Sequence, residues 1–173
     1  LVFCQHGTII SIIGATMATF EGKARVFTIT PVIVPAAYAS NDQIGVLLEI
    51  PEAVDADGDT ATVLSLVVID KASQSSKLDI LLFSDEPTVA SADNAAVNIS
   101  DAEMAAKYLG RVGVEAADYV ATAGSTDATK SGIGLLVQAA KGKRSIYALV
   151  QSKGTPTYAS ASDLVIKLGF VQD

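Results

Sequence analysis

From Ala24 to Phe170 the chain is a succession of short β-prone runs, each cut off by turn-forming residues, and this rhythm limits the folds open to it. Ala24-Arg25-Val26-Phe27-Thr28-Ile29-Thr30 follows the period of two that marks a half-buried strand. Pro31 and Pro35 then confine Val32–Val34 to a sheet edge or an extended connection, because proline has no N–H to give to a ladder. Ser40-Asn41-Asp42 predicts a turn, Gly45 to Ile50 a strand stopped by Pro51, and Asp55 to Asp59 a loop. Val63 to Asp70 and Leu78 to Phe83 predict apolar strands, joined hairpin-like through the polar stretch Lys71 to Lys77.

One helix interrupts the pattern. Ser100-Asp101-Ala102-Glu103 reads as a capping box, the serine accepting from the amide three residues on and the glutamate reaching back. Met104, Ala105, Tyr108 and Leu109 follow at helical spacing, and Gly110 stands where a terminating glycine belongs. Arg111–Val114 and Tyr119–Thr122 predict short strands, and Gly124 to Gly132 an exposed loop. Leu135–Ala139 and Ser145–Gln151 predict a hairpin turning at Lys141-Gly142-Lys143. Gly154-Thr155-Pro156-Thr157 turns the chain again, and Leu164–Phe170 closes the sheet. So many short strands, spaced by roughly 8–12 residues, predict an all-β fold: an antiparallel β-sandwich, jelly-roll-like, with one short helix.

The core of such a fold has to be aliphatic, since the 173 residues include no Trp and only 6% aromatics against 50% hydrophobic residues overall. Mean hydropathy is +0.41, yet no run of roughly 18 apolar residues exists to cross a membrane as a helix. The surplus therefore predicts apolar surface covered by another chain, and with it a homo-oligomer. A net charge of −7 argues against nucleic acid, whose phosphates would be repelled. Cys4 is the only cysteine, which excludes an internal disulfide and a thiolate zinc site.

Chemistry is thinly represented. Asp55-Ala56-Asp57-Gly58-Asp59 places three carboxylates at alternating positions, as a Ca²⁺ loop would, but the twelfth position is Leu66 rather than a bidentate acid. The loop reads as an acidic surface turn. His6 is the only histidine, and no G-x-S-x-G turn exists to present a serine nucleophile. Gly132-Ile133-Gly134 lacks the third glycine of a dinucleotide loop. Lys141, Lys143 and Arg144 are the only basic cluster in the sequence and read as a solvated turn. Tyr38, Tyr108, Tyr119, Tyr147 and Tyr158 are dispersed, as partly buried tyrosines with hydrogen-bonded hydroxyls would be. The expectation is a protein with no enzymatic site, no metal and no cofactor.

Several ordered motifs resemble a known family. Pro35-Ala36-Ala37-Tyr38-Ala39-Ser40-Asn41-Asp42-Gln43-Ile44-Gly45 and Leu78-Asp79-Ile80-Leu81-Leu82-Phe83-Ser84-Asp85-Glu86-Pro87-Thr88 are similar to stretches of capsid decoration (cement) proteins of tailed bacteriophages. Asp93-Asn94, Ile99 to Glu103, Asp118-Tyr119, Tyr147 to Val150, Gly154 to Tyr158 and Asp163 to Asp173 follow in the same order. The resemblance spans roughly residues 20 to 173. It implies a non-catalytic β-sandwich that trimerises on the outer capsid surface of a virion and clamps neighbouring copies of the major capsid protein. The rival reading is a head or tail fibre-type module that contacts a host surface.

Residues 1–19 fall outside the resemblance and form an N-terminal extension or arm ahead of the domain at 20–173. Thr8 to Ala15 is apolar like the core of a secretory signal, but no basic residue precedes it. Ile9, Ile10, Ile12 and Ile13 are the candidate partner-binding residues, suited to adding a strand to a neighbour's sheet. The competing reading makes the segment the first strand of the domain's own sheet. Each isoleucine contributes about 1.5–3 kcal/mol when fully covered. Deleting residues 1–16 is expected to leave the melting temperature nearly unchanged while weakening self-association or partner binding. A truncated chain that does not fold would make the segment a core strand.

Overall fold

In the computed structural model, which describes residues 22–172, nine strands and one helix follow in order. They are β1 (Lys23–Ile29), β2 (Gln43–Ile50), β3 (Thr60–Asp70), β4 (Leu78–Phe83), α1 (Asp101–Lys107), β5 (Tyr108–Val114), β6 (Tyr119–Thr122), β7 (Ser125–Gln138), β8 (Ile146–Ser152) and β9 (Leu164–Gln172), with a 3-10 turn at Ala116–Asp118. The extension, with Cys4, His6 and the four isoleucines, lies outside the described residues.

Five strands form one sheet in the order β1-β9-β3-β7-β6, and four form a second in the order β2-β8-β4-β5. Every pairing is antiparallel. With β6 set aside as an added edge strand, the remaining eight wind between the two sheets as a jelly roll. The fold is the all-β sandwich that the spacing of the strands predicts. Its core is the layer between the sheets. Val63, Leu66, Val68, Ile166, Leu168 and Phe170 meet Ile44, Ile50, Leu78, Ile80, Leu82, Ile146 and Val150, all of them buried. Aliphatic side chains dominate, as the lack of tryptophan requires. Phe27 and Phe170 supply an edge-to-face aromatic contact at 5.4 Å.

The winding corrects several local expectations. The predicted hairpin Leu135–Ala139/Ser145–Gln151 does not form, because β7 pairs with β3 and β6 while β8 pairs with β2 and β4. The hairpin-like link at Lys71–Lys77 is likewise a crossing from one sheet to the other. Gly124–Gly132 is not an exposed loop: Ser125–Ser131 belongs to β7, with Thr126 and Ala128 turned inward and buried. The Ser100 hydroxyl does cap α1 by accepting from the Glu103 amide at 3.3 Å. Glu103, however, accepts from the Thr88 amide instead of reaching back to the cap. The helix ends at Lys107 because Tyr108 already pairs with Phe83. Gly110 is therefore no helix terminator. It sits inside β5, where an added Cβ would lie 3.1 Å from a Leu135 methyl.

The crossing after β3 is organised by one buried carboxylate. Asp70 is fully buried and accepts from the Ala72 amide at 3.0 Å and the Ser75 amide at 2.9 Å, folding the chain through two positive-φ serines, Ser73 and Ser75. Burial raises its pKa, outweighing the amides of Ser75, Ala72 and Gln74, which pull the other way. With the native pKa above the unfolded one, the folded state holds the proton more tightly. Asp70 thus adds stability below its native pKa and loses that contribution as pH rises through it. The stability gap between wild type and Asp70→Asn, from denaturant unfolding, is expected to be wider near pH ~4.5 than at pH ~7. A narrower gap in acid would contradict this.

Candidate functional site

The two outer faces of the sandwich differ, and the difference locates the candidate site. The outer face of the four-stranded sheet is covered by the chain itself. Residues 84–107 fold back over Leu81, Phe83 and Leu149, packing Val89, Val97, Ile99 and Met104 onto them beside Tyr108 of β5.

No described segment covers the outer face of the five-stranded sheet. Its rows follow from the register: Ala24, Val171, Thr62 and Leu136 lie side by side, as do Thr28, Lys167, Val67 and Thr129, and then Val165, Ile69, Asp127 and Val120. Val26, Val120 and Leu136 are 69%, 65% and 61% exposed, and Leu64 42%. Lys167 and Asp127 are the only charges in these rows, on a chain with 31 charged side chains. Outward faces of antiparallel sheets that meet water ordinarily alternate to polar residues. This one stays apolar or hydroxylic, which suits it to being covered. The isoleucines of the extension were the predicted partner-binding residues. Sequence reasoning missed this face, because its valines and leucines are indistinguishable from core residues until register assigns them a side.

The chemical candidates resolve into structure. Asp55 binds the Lys23 ammonium at 2.7 and 2.9 Å, and that hydrogen bond lowers its pKa. The Gly58 amide donates to the Lys143 carbonyl, fastening the acidic loop to the β7–β8 turn. No group of three His, Cys, Asp or Glu that could hold a metal occurs among the described residues. Lys143 pairs with Asp85, so the basic turn belongs to this same loop cluster. Gly132-Ile133-Gly134 is a bulge within β7, both glycines at positive φ and Ile133 packed on the core. Of the tyrosines, Tyr38 donates to Asp93 Oδ1 at 2.7 Å, as expected. The hydroxyls of Tyr119 and Tyr158 are instead buried without a partner among the described residues.

Compared with known protein families and with curated proteins, the chain matches none. Three of the sequence stretches singled out above, around Tyr38, Asp93 and Tyr158, meet in one place. Tyr38 packs edge-on against Tyr158 at 5.9 Å, Ala37 bridges Thr157, and Asp42 bridges Ala96. Asp93 binds them together, its Oδ1 accepting from Tyr38 and the Gly45 amide (2.8 Å), its Oδ2 from the Val34 amide (2.6 Å). Residues from three distant stretches are thereby locked into one corner.

Gly45 is the tightest point of that corner. Its φ is +72°, and a Cβ would stand 2.8 Å from the Pro31 side chain and 3.2 Å from the Val32 carbonyl. Gly45→Ala is expected to cost about 2–4 kcal/mol through backbone strain and overpacking. Calorimetry should show Tm falling by on the order of 5–15 °C. A loss under about 1 kcal/mol would mean that the corner yields easily.

Proposed function

We propose that this chain is a non-enzymatic structural protein of a virion, a decoration or cement subunit on the outer capsid surface. It binds between major capsid protein subunits and acts as a homo-oligomer, a trimer. The observation that carries this reading is the broad, almost uncharged outer face of the five-stranded sheet. Such a surface is made for packing against protein, and the order of the sequence motifs supports the choice of partner.

The mechanism is mass-action linkage. A subunit that binds the assembled shell and not its dissociated parts stabilises the shell by RT ln(1 + [L]/Kd), about 2.7 kcal/mol at a hundredfold excess over Kd. Oligomerisation multiplies this, because each subunit after the first binds at high effective concentration.

Sedimentation at micromolar concentration is expected to give a trimer, and added protein to raise the disassembly temperature of phage shells that lack it. Val26→Lys with Leu136→Lys should abolish one or both effects while changing monomer stability by less than about 0.5 kcal/mol per site, since both side chains are exposed. A clean 17.8 kDa monomer that leaves shell stability unchanged would overturn the proposal.

A further inference from the structure

A second surface, at the opposite side of the molecule from β1, has the reverse character. A groove of about 450 Å³ beside β5 is lined by Lys77, Arg111, Lys130 and Lys153, with Asp79, Glu115 and Gly113. Four of the chain's twelve basic residues thus converge from β5, β7 and the ends of β4 and β8, although no two are close in sequence.

The floor is built to present Arg111. Asp79 is buried, with its side chain 9% exposed, and its Oδ2 accepts from Arg111 Nη1 at 3.2 Å. Gly113 leaves the space this needs, since a Cβ there would stand 2.4 Å from Asp79 Oδ1. A buried carboxylate therefore orients the guanidinium, whose side chain is 64% exposed and keeps further N–H donors facing the groove. Lys153 contacts only a neutral acceptor, the Asn41 side-chain oxygen at 2.8 Å, among the described residues. The other two cations pair at the rim, Lys77 with Glu115 and Lys130 with Asp118, each at 2.7 Å. Such exposed pairs are weak and can share their cation with an incoming carboxylate.

We infer that this groove receives an acidic peptide segment of a partner protein, its carboxylates binding Arg111 and Lys153. The rim carboxylates Glu115 and Asp118 disfavour a dense polyanion and suit separated single charges. The inference is independent of the shell reading and of the apolar face.

The test is fluorescence anisotropy with a labelled peptide alternating Glu and Ala, beside matched Gln/Ala and Lys/Ala peptides. Saturable binding of the Glu peptide alone is expected, weakening as salt rises. Lys153→Gln, which leaves Asp79 paired, and Arg111→Gln should each weaken it by about tenfold, the loss of one charge-assisted contact. Lys141→Gln, at the far loop cluster, should change nothing. No saturable binding, equal weakening by Lys141→Gln, or displacement by inorganic phosphate at concentrations near the peptide Kd would each overturn the inference. The last would make the groove a small-anion site.

Discussion

The sandwich depends on an irregularity in its central strand. The register of β3 shifts between Val63 and Ser65 toward both neighbours, β7 and β9. An unbroken strand would turn Val63 and Leu66 to opposite faces, but the shift lets both face the core. The neighbours accommodate it differently. On β7 the whole of Gly132-Ile133-Gly134 bows out between Ser131 and Leu135. On β9 Gly169 leaves room for Ser65, whose hydroxyl would lie 2.3 Å from any Cβ placed there. The bulge also exposes Leu64 on the outer face. Curvature for the core and apolar surface for a partner thus have one origin.

Carboxylates do the corresponding work at the turns. A jelly roll sends its chain between sheets again and again, and every crossing leaves backbone amides without ladder partners. Asp70 takes the amides after β3, Asp42 the Ala39 amide, Asp93 those of Val34 and Gly45, and Asp163 those of Ala159 and Ser160. Asp70 and Asp93 accept through both oxygens, so asparagine at either position would set an NH₂ donor against an N–H. The excess of acid over base is in part this structural requirement. It is not only a matter of surface charge.

What could be read from the sequence was what is local. Leu78–Phe83 appears as a strand with the bounds expected, because its apolar run and its flanks leave no other element. Ser100 marks the start of the helix for the same reason. Partnership was not local. Nothing in Lys141-Gly142-Lys143 distinguishes a turn within one sheet from a turn between two, and the jelly roll takes the second course. Ser125–Ser131 escaped notice because its inward residues, Thr126 and Ala128, are small and uncharged amid polar neighbours. Threonine's β-propensity was the one available clue. The groove at Arg111 was hidden for a related reason: its cations come from four strands or strand ends.

The size of the apolar face bears on how it works. Five strands about 4.8 Å apart, averaging about nine residues at ~3.3 Å each, span roughly 700 Å². A standard interface covers about 800 Å² per partner. One such face is therefore close in size to a standard contact, and dehydrating it is inexpensive with only Lys167 and Asp127 to desolvate. Long-range repulsion between copies that each carry −7 opposes association until salt screens the charge over about 8–10 Å. A scaffold that holds several copies side by side offsets that repulsion through effective concentration, so the face gains most where chains are also held in place by another contact.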